Sequence, residues 1–232
     1  MEASLILYGA CDMIRFSNVG MTYHARNLRK TVLHDASFVI QRGESIGVCG
    51  ANGAGKSTLL RLFAGVEYPT SGRITRRMSV SWPIGYSSAF QSSLTGADNA
   101  RFIARIYRRP AAPLLAYVED FAQLGAYLHQ PVRTYSSGMQ ARLAFAISLA
   151  IRFDCYLVDE VTAVGDERFR QRSQEALASR GREGTLIMVS HAPETLRAYC
   201  QRGAVLANNR LSFYDTIDEA LAVHAWNQRR SA

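Results

Sequence analysis

The chain has 232 residues, of which 48% are hydrophobic and 20% are charged. This composition excludes a disordered or fibrous protein and provides enough apolar side chains for one sizeable domain. The formal net charge of +8 suggests a nucleic-acid partner, but the arginines are scattered in short pairs without interleaved aromatic residues. We therefore expect no nucleic-acid partner and interpret most arginines as solvated, although a basic face directed at anionic lipid or an acidic substrate fits equally well.

The sequence contains no stretch that approaches the ~18 to 20 consecutive apolar residues needed to cross a bilayer, and its N-terminus lacks the basic segment followed by an apolar one that is typical of a secretory leader. We therefore expect the chain to remain in the cytoplasm. None of the four cysteines lies in a C-x-x-C spacing, which predicts neither a disulfide framework nor a zinc site. Residues 1 to 12 are interpreted as a tail without an assigned function, and Met13 is an alternative start to Met1.

Short apolar runs in the first third of the chain predict strands that lead into a glycine-rich turn. A helix follows the turn and ends at Gly65, and a turn over residues 69 to 72 precedes further short strands as far as about Trp82. The predicted strands before the glycine-rich turn cover residues 13 to 16, 32 to 33, 36 to 40 and 45 to 49.

The glycine-rich turn matches the pattern G-x-x-x-x-G-K-[ST], which holds the phosphates of a nucleoside triphosphate. Its glycines allow backbone N–H groups to curl around the phosphates, and the helix directs its positive end at them. Lys56 supplies a compact charge and is one of only two lysines, with Lys30, among 27 basic residues. Ser57 is also a candidate Mg²⁺ ligand. The candidate nucleotide-binding residues here are Gly50, Asn52, Gly53, Ala54, Gly55, Lys56, Ser57 and Thr58.

The middle of the chain changes character and predicts an inserted helical subdomain over about residues 95 to 152. It contains helices over 99 to 108 and 113 to 124, followed by a long amphipathic helix. Apolar runs at 155 to 158 and 186 to 189 then predict strands of a mostly parallel sheet that is covered on both faces. With a final helix over about residues 216 to 227, these elements predict a single α/β domain over residues 13 to 232.

Polar residues follow two of these predicted strands, at the sheet edge where parallel-sheet proteins gather their working residues. Asp159 is the candidate metal ligand, and Glu160 is the candidate for orienting or deprotonating the attacking water. Such a pair alone is more often a polar turn. His191 can donate a hydrogen bond to the γ-phosphate, although a lone histidine is usually structural.

The long helix of the inserted subdomain opens on Ser136, Ser137 and Gly138. A serine at this position caps a helix, and capping alone would explain the segment. The same helix start also offers free N–H groups and a positive dipole end to an anion, as the phosphate loop does.

In their order and approximate spacing, these segments resemble the ATP-binding subunits of ABC transporters over about residues 13 to 215. The resemblance implies a P-loop NTPase fold of ABC type, with a mixed or parallel sheet, an antiparallel β subdomain and an inserted helical subdomain. It implies ATP and Mg²⁺ as cofactors. It also implies that Tyr23 stacks on adenine, that Gln91 links nucleotide and metal to the membrane partner, and that Asp166 lies on the loop that crosses to a second subunit.

Departures from the usual family pattern narrow the resemblance. The common signature Leu-Ser-Gly-Gly-Gln is Tyr-Ser-Ser-Gly-Met at residues 135 to 139, and Pro-Thr-Ser-Ala-Leu-Asp is replaced at residues 161 to 166. With residues 81 to 83, these variants resemble the ATPase subunits of capsular polysaccharide exporters in Gram-negative bacteria. Relatives that export O-antigen often add a carbohydrate-binding domain, for which we expect this chain to have no room, so the membrane subunit would select the substrate.

The resemblance implies a head-to-tail homodimer in which Lys56 of one copy and Ser136 of the other enclose each ATP. The dimer would bind a transmembrane permease at the cytoplasmic face of the bacterial inner membrane, with periplasmic and outer-membrane export components beyond it. The alternatives are export of another polysaccharide such as O-antigen or teichoic acid, or a soluble ABC-type ATPase that acts on DNA or ribosomes. A P-loop kinase would need an acceptor-binding lid, and a GTPase would need Asn-Lys-x-Asp, for which no lysine is left.

Overall fold

The structure is a computed structural model that describes residues 12–25, 28–85, 90–159 and 166–231. The strands of these residues are β1 Met13–Ala25, β2 Leu28–Gln41, β3 Ser45–Gly50, β4 Ser71–Arg76, β5 Val80–Ile84, β6 Cys155–Asp159, β7 Thr185–Val189, β8 Arg202–Ala207 and β9 Arg210–Tyr214. The α-helices are α1 Lys56–Ala64, α2 Gly96–Ile106, α3 Ala111–Ala122, α4 Ser137–Ala150, α5 Glu167–Glu183, α6 Pro193–Tyr199 and α7 Ile217–Ser231. Two short 3₁₀ helices, Gly125–His129 and Val132–Thr134, precede α4.

The strands form two sheets. The larger has the order β5-β6-β7-β3-β8-β9 and is parallel except for β9, which runs antiparallel to β8. The smaller is antiparallel, with the order β2-β1-β4. The predicted α/β class, with a mixed sheet, an antiparallel β part and inserted helices, is confirmed.

The larger sheet is buried on both faces, which explains why its central strands are continuous apolar runs. In β7, Leu186 and Met188 pack into the core shared with the inserted helices. Ile187 and Val189 alternate with them and pack into the core shared with α1 and the antiparallel sheet. Helices and the second sheet therefore cover opposite faces, and the ends of the strands remain available for polar residues.

Two helices of the inserted part start earlier than the sequence predicts. Helix α2 begins directly after Thr95, whose hydroxyl accepts a hydrogen bond from the Asp98 N–H at 3.0 Å and donates to the Asp98 carboxylate at 2.7 Å. Helix α3 begins at Ala111 and includes Pro113 in its first turn, where a missing N–H costs no helical hydrogen bond. None of the described helices is long and apolar enough to cross a membrane.

Helix α7 lies close against the parallel sheet because two glycines pair across adjacent strands. Gly47 of β3 and Gly203 of β8 are register partners. A Cβ atom on Gly47 would lie 2.7 Å from Ile217 Cδ1, and one on Gly203 would overlap the Ala220 side chain. The missing side chains therefore leave the space into which the first turn of α7 packs.

Replacing Gly203 with alanine should destabilise the protein, because Ala220 has no flexible side chain that could move aside. Overpacking of this kind costs about 1–3 kcal/mol, which should appear as a lower midpoint of urea unfolding followed by circular dichroism. Gly181→Ala in α5 is the matched control, since its added Cβ would meet Leu186 Cδ2 at an ordinary 3.5 Å. Equal midpoints for Gly203→Ala and the wild type would show that α7 does not lie this close to the sheet.

Candidate nucleotide-binding site

The glycine-rich loop lies at the carboxyl end of β3, near the centre of the larger sheet. Strand β3 has parallel neighbours on both sides, and α1 begins directly after Gly55. Gly53 and Gly55 have φ angles of 73° and 108°, a region that favours glycine. A Cβ on Gly55 would overlap Val32 Cγ1 of β2, so the antiparallel sheet packs against the loop where a side chain is absent.

Lys56 is folded back into the loop. Its side chain is only 8% exposed, and its Nζ donates hydrogen bonds to the carbonyl oxygens of Gly50 at 2.7 Å and Ala51 at 3.0 Å. Burial raises the pKa of the neighbouring Cys49 thiol to about 11 although Lys56 acts in the opposite direction, so this cysteine is a neutral core residue. The ammonium group is thus the positive charge at the base of the loop.

A cleft of about 360 Å³ opens in front of the loop and brings together residues from distant parts of the chain. Asp159 ends β6 and is the register partner of Val189 on β7, and His191 follows two residues later. The carboxyl ends of parallel strands therefore place these polar groups at the same sheet edge. The cleft is lined by Tyr23, Lys30, Val32, Asn52, Gly53, Gly55, Lys56, Ser57, Thr58, Asp159, Val189 and His191.

Hydrogen bonds hold Tyr23 in the wall of the cleft. Its hydroxyl donates to Glu67 Oε1 at 2.5 Å, lies 3.2 Å from Thr58 Oγ1, and accepts from Arg61 Nη2 at 3.1 Å. Arg61 is itself ion-paired with Glu67 at 3.1 Å. This network joins β1 to α1 and orients the aromatic ring beside the loop.

Gln91 does not line the cleft. Its main chain is held by Asn99 of α2: the Gln91 N–H donates to Asn99 Oδ1 at 3.0 Å, and Asn99 Nδ2 donates to the Gln91 carbonyl at 3.1 Å. Asn99 is only 2% exposed, whereas the Gln91 side chain is exposed. Sequence reasoning missed Asn99, which attaches the Gln91 segment to the inserted helices.

The other predicted residues of the long helix and of the following segment also lie away from the cleft. Ser136 caps α4, its Oγ accepting from the Met139 N–H at 3.2 Å. Asp166 caps α5, accepting from the Phe169 N–H at 2.9 Å and from Arg142 Nη2 of α4 at 2.8 Å. These hydrogen bonds lower the pKa of Asp166. Ser136, Ser137 and Gly138 thus lie at the start of α4, with both serines exposed, and do not line the cleft that contains Lys56. We call this start of α4 the signature surface.

Glu160, the candidate for orienting water, lies outside the described residues, as do residues 161 to 165. Its neighbour Asp159 is described and lines the cleft.

Sequence reasoning gave no site role to Lys30, which also lines the cleft. It is the register partner of Tyr23 in the β1–β2 pair, so the two residues lie side by side. The available signal was that lysine persists at only two positions, one of which is in the phosphate loop.

Helix α7 lies near the phosphate loop. A cavity of about 680 Å³ separates them, lined by Ala51 and Ala54 of the loop and by His224 and Trp226 of α7. Burial, followed by the positive charges of Lys56 and His191, lowers the pKa of His224. The electrostatic field of the phosphate loop therefore reaches the C-terminal helix.

The strand order, the glycine-rich loop and the polar sheet edge define a P-loop nucleotide-binding domain. The family model described as "ABC transporter" matches residues 33–163. The chain therefore belongs to the ABC transporter family, as an ATP-binding subunit.

Similar proteins extend over nearly the whole chain. It is 48% identical over 217 residues to the ATP-binding protein BexA of Haemophilus influenzae, a match that covers 94% of this chain and 100% of the relative. It is 50% identical over 208 residues to the capsule polysaccharide export ATP-binding protein CtrD of Neisseria meningitidis serogroup B, covering 90% and 96%. A solved dimeric ATP-binding cassette in a post-hydrolysis state with ADP and Pi has a TM-score of 0.74 at 20% identity, covering 87% of this chain and 98% of that one.

Removing the charge of Lys56 should raise the pKa of His224, because one of the charges that disfavour its protonation is lost. Burial remains, so the pKa should stay below its ordinary value. The measurement is a histidine NMR titration of Lys56→Met. Lys30→Met is the matched control, because Lys30 is not among the groups that shift His224. An identical His224 titration in Lys56→Met and the wild type would contradict the placement of α7 near the loop.

Proposed function

We propose that the chain is the ATP-hydrolysing subunit of an exporter that drives capsular polysaccharide across the bacterial inner membrane. The observation that carries the proposal is the assembly of Lys56, Asp159 and His191 around one cleft, each from a different segment. The substrate class is supported by the high identity, over nearly the full chain, to a protein named for capsule polysaccharide export. Export of another polysaccharide, such as O-antigen or teichoic acid, is the neighbouring alternative.

Within the cleft, each predicted residue has a chemical role toward ATP. Tyr23 stacks on adenine with its ring held by Glu67, and the N–H groups of residues 52 to 58 bind the phosphates. Lys56 neutralises the β- and γ-phosphates when its ammonium exchanges a loop carbonyl for phosphate oxygen. His191 donates a hydrogen bond to the γ-phosphate.

The residues of the cleft fit Mg²⁺. Ser57 and Asp159 line it together and offer hydroxyl and carboxylate oxygen, the donors that this ion prefers. Among the described residues, no group of three or more His, Cys, Asp or Glu side chains could hold a metal alone, which suits an ion shared with nucleotide phosphates. Ser57 and Asp159, with Gln91 in the closed state, would hold Mg²⁺, which supplies neutralisation of phosphate charge.

Glu160 orients or deprotonates the attacking water. The support is its position in the sequence directly after Asp159, which lines the cleft. Hydrolysis then needs water on the γ-phosphate side, opposite the leaving ADP.

The complete site needs a second copy of the chain. The signature surface does not line the cleft that contains Lys56, so its exposed Ser136 and helix N-terminus are available to a nucleotide held by another copy. A dimeric state of the structurally similar cassette supports this arrangement. Binding of two ATP molecules between head-to-tail copies closes the dimer. Loss of the γ-phosphate on hydrolysis then allows the copies to separate.

The inserted helices provide a surface for the membrane permease. Phe102 and Ile106 of α2 are 56% and 54% exposed, and Tyr127 in the following 3₁₀ helix is 52% exposed. Large apolar side chains that are exposed to solvent are typical of protein interfaces. The chain would bind the permease at the cytoplasmic face of the inner membrane, with periplasmic and outer-membrane components completing the export path.

Purification of the tagged chain from its native membrane tests the function directly. We expect an integral-membrane permease and capsule glycan to copurify, and the complex to hydrolyse ATP. Lys56→Ala should retain the permease but lose hydrolysis, typically by orders of magnitude, because the charge at the phosphates is gone. Copurification with ribosomes or DNA and without a permease would contradict the proposal, and O-antigen or teichoic acid as the glycan would correct the substrate.

Mixing two inactive variants tests whether sites are shared. In a head-to-tail dimer of Lys56→Ala with Ser136→Arg, both defects fall in one site and the other site is intact. Equal mixing should therefore restore about a quarter of wild-type hydrolysis when subunits exchange freely, since half the dimers are mixed and each has one intact site. Each variant alone, with a wild-type circular dichroism spectrum, is the control. Absence of recovery after exchange would indicate a site built from one copy.

A further inference from the structure

The cleft contains a second lysine besides Lys56, on the side formed by β2. Lys30 lies on β2 beside Tyr23, and both residues line the cleft. Its Nζ would be 3.9 Å from a Cβ placed on Gly53, so the ammonium group lies next to the middle of the loop. Lys30 therefore reaches the region that a nucleotide phosphate chain would occupy.

The charge of Lys30 is not neutralised within the part of the chain that the structure describes, where the ion pairs do not include it. The nearby Arg61 differs, because it is ion-paired with Glu67 and donates to the Tyr23 hydroxyl. A cation that is exposed, unpaired among the described residues and directed at a phosphate loop is chemically suited to an anionic ligand.

The choice of lysine at this position supports the same conclusion. Of 27 basic residues in the chain, only Lys30 and Lys56 are lysines, and both line this cleft. An ammonium ion is a compact point charge on a flexible stem, whereas the planar guanidinium needs room for its fork. A cleft filled by a triphosphate leaves space for the compact ammonium group of a lysine.

We propose that Lys30 is a second phosphate-binding cation, which binds the phosphate chain of the nucleotide from the β2 side of the cleft. The inference rests on the proposed ATP-binding function and assigns a further binding residue to it. Lys56 and the loop bind the phosphates from the side of β3 and α1, and Lys30 binds them from the side of β2. The nucleotide then bridges the antiparallel sheet and the parallel sheet through its phosphates as well as through the adenine ring on Tyr23.

The test compares nucleotides with and without phosphates. Affinities of wild type and Lys30→Met are measured by calorimetry for a non-hydrolysable ATP analogue with Mg²⁺ and for ADP, and by competition for adenosine. We expect Lys30→Met to weaken binding of the ATP analogue about tenfold and to weaken binding of ADP by the same factor or less. Binding of adenosine should be unchanged, because adenosine has no phosphate. The difference should shrink as ionic strength rises, because the ammonium group is exposed.

Arg29→Met is the matched control, because Arg29 is an exposed cation next to Lys30 whose side chain leaves the strand in the opposite direction. It should bind all three ligands as the wild type does, and Lys30→Arg should recover only part of the loss. Equal affinity of Lys30→Met and wild type for the ATP analogue would overturn the inference while leaving the function intact. Weaker adenosine binding would also overturn it, since the effect would then lie at the Tyr23 wall. Failure of the wild type itself to bind nucleotide would instead contradict the proposed function.

Discussion

Close backbone contact around β3 is the constraint on which the rest of the structure depends. At its carboxyl end the chain turns through Gly55, where Val32 of the antiparallel sheet occupies the space that a side chain would need. In its middle, Gly47 pairs with Gly203, and α7 packs into the space that these residues leave. The loop, the second sheet and the C-terminal helix are therefore fixed relative to one strand, and the cleft takes its shape from that strand.

The site residues that could be proposed from the sequence are those that a short motif or the end of a strand marks. The phosphate loop is contiguous, and Asp159 and His191 come from ends of parallel strands, which meet at one edge whatever the exact register. Lys30 could not be found in this way. Strand β1 has register irregularities between Val19 and Met21 and between Met21 and Thr22. Counting alternate residues from the start of the strand therefore does not tell which face Tyr23 and its partner occupy.

The sequence analysis placed the starts of α2 and α3 too late for a different reason. The residues that signal these starts are present in the sequence, but each signal is only two or three residues long. Thr95 and Asp98 form a reciprocal capping pair that marks the start of α2, and Pro113 is compatible with the first turn of a helix as well as with its start. Asn208 and Asn209, both with positive φ, form the turn between β8 and β9, a hairpin that the sequence analysis did not single out. Such two- or three-residue signals gain meaning only once the neighbouring elements are known.

Residues 81 to 83, which helped to narrow the family resemblance, connect the cleft to the signature surface. Ser81 Oγ accepts from the Leu157 N–H at 2.9 Å, at the point where the β5–β6 register shifts before Pro83. Trp82 Nε1 donates to buried Ser148 of α4 at 2.8 Å, and its ring packs against Phe153. Since β6 ends in Asp159 and α4 begins after Ser136, this segment connects the strand with the proposed metal ligand to the helix that is proposed to face the second copy. Displacing α4 alone would break a buried hydrogen bond and an aromatic contact, so α4 is expected to move together with β5 and β6.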